Sequence, residues 1–278
     1  NDTNNNRLKD STVNGGPGND NITTEGAIGT RLRGNEADDD FFLRSNYTNT
    51  TINGNEGQDS FTLNANITLS DSKILGGSGN DGQMDFSDGS ILGVDSVIQG
   101  GKGLDTITIG DLTAGLSNFR VSGGADNDTI FVNNSTAAAT GVSYNGAAGE
   151  DSINFLGNNR ADAVSKGGDG NDRFTLNGTQ SADLELHGEA GNDFFTINGG
   201  AGARNTMNGG VGADTYTLTT AAQRGQTIVL ANVADSPATL TGSTFTGDTF
   251  LTNAVNVAKT NGGDIIDMRG GSGEALVG

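Results

Sequence analysis

A short glycine-rich pattern, Gly-x-x-[Gly/Ala/Asp]-x-Asp, recurs along most of the chain and constrains the fold more than any other feature. Its clearest copies are Gly15–Asp20, Gly76–Asp81, Gly100–Asp105, Gly167–Asp172 and Gly209–Asp214. With the looser copies, the terminal aspartates are Asp20, Asp39, Asp59, Asp81, Asp105, Asp128, Asp151, Asp172, Asp193 and Asp214. Successive aspartates are 19 to 24 residues apart. A repeat of this size buries its apolar face only by stacking on its neighbours.

Apolar residues flank each copy at fixed distances and predict one strand on each side of the turn. The second and fourth positions after the aspartate carry the pairs Phe41/Leu43, Phe61/Leu63, Ile107/Ile109, Ile130/Val132, Ile153/Phe155, Phe174/Leu176, Phe195/Ile197 and Tyr216/Leu218. The seventh position before it is occupied by Val13, Leu32, Ile52, Ile74, Ile98, Val121, Tyr144, Leu186 and Met207, with Ser165 as the exception. After Asp81 the pair comes one residue late, at Met84 and Phe86, which indicates a bulge. After Asp20 only Ile22 is apolar, which indicates an end unit.

Each unit is therefore predicted to contain a strand, a glycine-rich turn, a second strand and a variable loop, and the predicted fold class is all-β. We expect a right-handed parallel β-helix or β-roll solenoid of about ten coils, roughly 45 to 50 Å long at the spacing of stacked strands. A hydrophobic content of 32% suits a thin core repeated along an axis. The expected organisation is a polar segment at 1–11, the solenoid at 12–219, and irregular coils, a cap or an assembly segment at 220–278. Alternation in Thr227–Leu230 predicts that this last part still contains strands.

The turns have a composition that suits a divalent cation. Stacking would place equivalent aspartates about 4.8 Å apart, where two unit charges repel by roughly 3 kcal/mol at an effective dielectric of 20. Calcium would remove this repulsion, because it accepts six to eight oxygen ligands in flexible geometry, carbonyls included. Further candidate ligands within the turns are Glu36, Glu56, Asp126, Asp169 and Glu189. The alternative is that the aspartates are ordinary turn residues whose carboxylates accept nearby backbone N–H groups.

The turns resemble the Gly-Gly-x-Gly-x-Asp-x-U-x repeat of RTX proteins, a calcium-binding parallel β-helix family. The resemblance covers roughly residues 11 to 219. It implies that the ten terminal aspartates bind several calcium ions between adjacent coils, and that the protein is secreted and extracellular or held at the cell surface. The family's nine-residue period gives two calcium turns per coil, whereas each unit here contains one such turn. We therefore expect a single calcium column.

Charge and composition exclude several classes of partner. The formal net charge is −19, and the 15 lysines and arginines form no run, which argues against binding nucleic acid or an anionic membrane. No stretch approaches the roughly 20 apolar residues of a membrane span, so membrane insertion is not expected. Open strand edges at the ends of a solenoid favour self-association, end to end or in a lattice, unless flanking domains cover them.

Catalysis is not expected, and the protein is predicted not to be an enzyme. The single histidine, His187, has no cysteine with which to form a zinc site or a catalytic dyad. Carboxylate pairs such as Asp38 and Asp39, or Asp264 and Asp267, lack the aromatic cleft of a glycosidase, since the chain has no tryptophan and three tyrosines.

Two functions from different classes remain. The first is an extracellular calcium-binding structural protein, a subunit of a surface layer, sheath or filament. The second is an RTX-like binding module of a larger secreted adhesin or enzyme, whose flat face would bind cell-surface polysaccharide or ice. Threonines three positions after the aspartate, at Thr62, Thr108, Thr175, Thr196 and Thr217, are compatible with ice binding but are also ordinary for a β surface.

Overall fold

The computed structural model describes residues 7–64, 67–87, 92–110, 117–133, 140–157, 162–177, 184–198 and 205–218, and after these only individual strands. The described part is all-β, without helix, and every strand pairing in it is parallel. The chain is thus a parallel β-solenoid, as predicted. None of the described residues forms a helix that could cross a membrane.

Two long sheets run the length of the solenoid, one on each side of the glycine-rich turns. The turn-entry sheet has 13 strands: β2 (Thr12–Pro17), β5 (Arg31–Glu36), β8 (Thr51–Glu56), β11 (Lys73–Ser78), β14 (Val97–Lys102), β16 (Arg120–Ala125), β18 (Thr140–Ala148), β20 (Asp162–Asp169), β22 (Glu185–Ala190), β24 (Thr206–Val211), β26 (Thr227–Leu230), β28 (Thr249–Thr252) and β30 (Ile265–Met268). The turn-exit sheet has 11 strands: β3 (Asn21–Thr24), β6 (Asp40–Leu43), β9 (Ser60–Leu63), β12 (Gln83–Phe86), β15 (Thr106–Ile109), β17 (Thr129–Val132), β19 (Ser152–Phe155), β21 (Arg173–Leu176), β23 (Phe194–Ile197), β25 (Thr215–Leu218) and β27 (Thr239–Gly242).

Side chains alternate between the core and solvent along both sheets, as the period-two pattern predicts. The inward positions stack in columns, and equal residue types meet on adjacent coils. Phe41 lies on Phe61 with ring centroids 4.8 Å apart, and Phe174, Phe195 and Tyr216 form a second stack with centroids 4.9 Å apart. The core is therefore one residue layer per coil, repeated along the axis.

The irregular units keep their core residues in register. Gly82 is an extra residue between the Asp81 turn and β12, and it lets Met84 pair with Phe61 on one side and Ile107 on the other. Ser165 lies fully buried where other coils carry an apolar side chain, and its hydroxyl has no hydrogen-bond partner.

A third sheet of short strands occupies what the sequence analysis described as a variable loop. It comprises β1 (Leu8–Lys9), β4 (Ala27–Ile28), β7 (Tyr47–Thr48), β10 (Thr68–Ser70) and β13 (Leu92–Val94), and a separate pair is formed by β29 (Asn256–Ala258) and β31 (Ala275–Val277). A corner of buried serines and threonines joins the five-stranded sheet to the turn-entry sheet. There Ser72 Oγ accepts the backbone N–H of Thr50, and Ser96 Oγ accepts that of Ser72.

Candidate ion column

The terminal aspartates of the repeat stack along one edge of the solenoid, and all but Asp20 are buried. In each case Oδ1 of one aspartate accepts the backbone N–H of the aspartate in the preceding coil, at 2.7 to 3.1 Å. The acceptors are Asp39, Asp59, Asp81, Asp105, Asp128, Asp151, Asp172, Asp193 and Asp214. The carboxylates thus point into the turn, along the solenoid axis, and each accepts a hydrogen bond from the coil before its own.

The second carboxylate oxygen has no donor. Oδ2 is buried and without a hydrogen-bond partner in Asp20, Asp39, Asp59, Asp81, Asp105, Asp128, Asp151, Asp172 and Asp193. In several coils a backbone carbonyl of the following coil borders the same space. A Cβ placed on Gly34 would lie 1.8 Å from Oδ2 of Asp39 and 2.8 Å from the carbonyl oxygen of Gly54. An acceptor left unpaired in the interior is costly unless a proton or a cation lies beside it.

The first glycine of the motif makes room for this carboxylate. At Gly34, Gly54, Gly76, Gly167 and Gly188 an added Cβ would approach Oδ2 of the aspartate five residues later to 1.8–2.1 Å. These glycines do not have positive φ, so space rather than backbone conformation requires them. Positive φ is confined to the second and fourth motif positions, where non-glycine residues such as Asn35 and Ala37 also adopt it.

Burial perturbs the acidity of the column. Desolvation raises the pKa of Asp81 and of Asp128 to about 8, and the neighbouring aspartates add to the shift by charge repulsion. The pKa of Asp172 and that of Asp193 rise to about 7 for the same two reasons. The backbone N–H donated to each carboxylate opposes these shifts but does not cancel them. The column therefore favours a neutralised state over a row of free carboxylates.

A second, exposed ladder runs beside the column in the opposite direction. Asn80 Oδ1 accepts the N–H of Leu104 in the following coil, and Asn171 Oδ1 accepts that of Asn192, at 2.9 and 2.8 Å. The repeat pattern did not predict this ladder. Its only signal is the frequency of asparagine immediately before the terminal aspartate, as in Asn80-Asp81 and Asn171-Asp172.

The five additional candidate ligands lie outside the buried column. Glu36, Glu56, Asp126, Asp169 and Glu189 are all exposed. Glu189 forms an ion pair with Lys166 at 2.5 Å. His187 lies on the outward face of β22 beside Glu185, which agrees with a solvated strand residue.

The carboxylate and carbonyl oxygens of the column are chemically suited to a hard cation. Unpaired carboxylate oxygens recur along the column, and a glycine carbonyl of the following coil borders the same space at Gly15, Gly34, Gly54, Gly76 and Gly188. Oxygen ligands of this kind suit calcium rather than the softer transition metals. Among the residues that the structure describes, no three histidine, cysteine, aspartate or glutamate side chains are grouped so that they alone could hold a metal ion. An ion here would therefore bind one or two carboxylates and complete its shell with backbone carbonyls.

Comparison with known proteins adds no further assignment. No protein-family model matches the chain, and neither does any curated protein or any solved structure.

Proposed function

We propose that the protein is an extracellular structural solenoid whose aspartate column binds calcium, and that it serves as a subunit of a surface layer, sheath or filament. In this proposal the solenoid is right-handed, with ten coils and one calcium turn per coil. The ten terminal aspartates, Asp20 to Asp214, would be the protein ligands. The proposal depends on one observation, the row of buried Oδ2 atoms that have no donor.

The bound ions would supply positive charge between coils and so stabilise the stacked state. Calcium binds the folded solenoid because carboxylate and carbonyl oxygens are brought together only when coils stack. A ligand that binds the native state and not the unfolded chain stabilises the fold by mass action. An extracellular location supplies calcium at high concentration and, in this proposal, makes the ion a signal to fold after export.

A binding module of a larger secreted protein is the second candidate. It is supported by the flat outer face of the turn-exit sheet, where small polar residues such as Thr106 and Thr108 alternate with buried Ile107 and Ile109. Side chains of Phe131, Arg173 and Phe194 interrupt the threonines on this face. These interruptions make a regular ice-binding lattice the weaker form of the candidate.

Calcium titration of the metal-stripped protein, followed by far-ultraviolet circular dichroism, tests the ion. We expect a cooperative gain of β signal with calcium and little change with an equal concentration of magnesium, whose stricter octahedral shell fits carbonyl-rich turns poorly. Full β structure in excess chelator, with no rise in melting temperature on adding calcium, would show that protons and hydrogen bonds alone neutralise the column.

Electron microscopy of the calcium-loaded protein tests the structural role separately. Filaments or ordered sheets of the purified chain support a surface-layer, sheath or filament subunit. Isolated rods at all protein concentrations would instead support the binding module.

A further inference from the structure

The outward face of the turn-entry sheet carries an ordered row of positive charges that the linear sequence conceals. Arg31, Lys73 and Arg120 each begin their strand, β5, β11 and β16, and all three side chains are exposed. Strand pairing aligns them in one column with Thr51 between the first two and Val97 between the last two. We call Arg31, Lys73 and Arg120 the cation column.

The cation column is regular. From β5 to β16 one cation recurs on every second coil, so neighbouring charges are about 10 Å apart at the usual spacing of parallel strands. Arg33 on β5 adds a fourth charge to the same face, one side-chain position further along the strand. The intervening Thr51 and Val97 are short and leave the face flat.

These cations are free to bind a partner. Among the residues that the structure describes, the ion pairs involve Arg44, Lys166 and His187, and none involves Arg31, Arg33, Lys73 or Arg120. This is unexpected in a chain with 34 acidic and 15 basic residues.

Exposed acidic residues lie on both sides of the cation column. Asp71 and Asp95 are at the corner that precedes the strands, and Glu36 and Glu56 are at the turn that follows them. The positive row is therefore a narrow strip with acidic borders.

We propose that the cation column binds an extended acidic polysaccharide that lies along the solenoid axis. In a polysaccharide with one carboxylate on every second sugar ring, the distance between carboxylates is similar to the distance between cations on alternate coils. Several ion pairs can therefore form without bending the polysaccharide or the solenoid. The acidic borders repel polyanions that approach in other orientations, and they disfavour broad anionic surfaces such as membranes. The inference requires only the fold and does not depend on the proposed role of calcium.

Titration calorimetry with hyaluronate oligosaccharides, which carry one carboxylate per disaccharide, tests the site. The variant is Arg31→Gln/Lys73→Gln/Arg120→Gln. The matched control is Lys9→Gln/Arg44→Gln/Lys102→Gln, which removes the same three charges at exposed positions away from the column. We expect the first variant to weaken binding roughly tenfold and the control to weaken it less than about twofold, since each exposed pair contributes little alone. Melting curves confirm that both variants fold.

The remaining arms identify the partner. Binding of hyaluronate is measured both in calcium buffer and in chelator. If the column variant loses the same affinity under both conditions, the inference holds even if calcium has no role in folding. Equal loss in both triple variants would overturn it, because net charge alone would then explain binding. It would also be overturned if hyaluronate fails to bind, if polyglutamate binds as tightly, or if only phosphatidylserine vesicles bind.

Discussion

Substitution of Gly167 by alanine tests the central feature of the turn, the packing of a carboxylate against a bare glycine. A Cβ at this position would lie 2.1 Å from Oδ2 of Asp172 and 2.6 Å from its Cγ, both well inside contact distance. The carboxylate must therefore move and release the backbone N–H of Asp151, which it now accepts at 2.8 Å. Overpacking costs about 1–3 kcal/mol and a buried unpaired donor a further ~1–3, so we expect a loss of about 3 kcal/mol.

Urea denaturation at fixed calcium concentration, followed by circular dichroism, measures this loss. Gly82→Ala is the control, because an added Cβ on Gly82 meets no atom within 4 Å. Gly82→Ala should stay within about 0.5 kcal/mol of the unmodified chain, as is usual for substitutions away from packed sites. In the Asp172→Ala background the cost of Gly167→Ala should fall by about 1–3 kcal/mol, since the two residues are in contact. Equal losses for Gly167→Ala and Gly82→Ala, or an additive double variant, would refute the assigned role of the first glycine.

Three further predictions concern other parts of the site and core. Ser165→Ala should raise stability by about 1 kcal/mol in thermal melts, because it removes a buried hydroxyl that has no partner; a loss of stability would mean that the hydroxyl is bonded. In chelator, the melting temperature should rise as pH falls from about 8 towards 4. The pKa of Asp81 and that of Asp128 are near 8 when folded, against an ordinary value of 3.8, so the folded state binds more protons in this range; saturating calcium should flatten this profile, and a melting temperature that falls in chelator would contradict it. Asn171→Ala should cost about 0.5–1.5 kcal/mol, less than Gly167→Ala, because the N–H of Asn192 that it leaves free is exposed to water.

The two long sheets could be predicted from the sequence because their signal is redundant. Apolar pairs such as Ile107/Ile109 recur at fixed distances from an aspartate, and each is buried at the expected place. A single strand of four residues would be ambiguous, whereas the same strand repeated in register is not. The late pair Met84/Phe86, which was interpreted as a bulge, stays in register with the neighbouring coils because Gly82 is an extra residue before it.

The third sheet and the direction of the carboxylates could not be predicted. Strands of two or three residues, such as Tyr47–Thr48, are too short for periodicity to reveal. The sequence allowed the carboxylates to bind a cation or to accept nearby backbone N–H groups, but it did not identify which N–H groups. Only stacking brings the N–H of Asp39 under the carboxylate of Asp59. The first glycine of the motif is needed because it contacts the carboxylate of the terminal aspartate, whose position depends on stacking. Composition alone could therefore not distinguish this glycine from the glycines with positive φ.

The hydrogen bonds between successive terminal aspartates, here called the aspartate ladder, give the rod a direction. Every carboxylate reaches back towards the amino-terminal coil, from Asp39 to Asp20 and so on to Asp214 and Asp193. The two directions along the rod are therefore chemically different, because every backbone donor lies in the earlier coil and every carboxylate acceptor in the later one. In the end-to-end association that we propose, copies joined head to tail would all point their carboxylates the same way, whereas copies joined in opposite directions would not. A head-to-tail contact is heterologous, so the proposed filament or sheath would have two different ends.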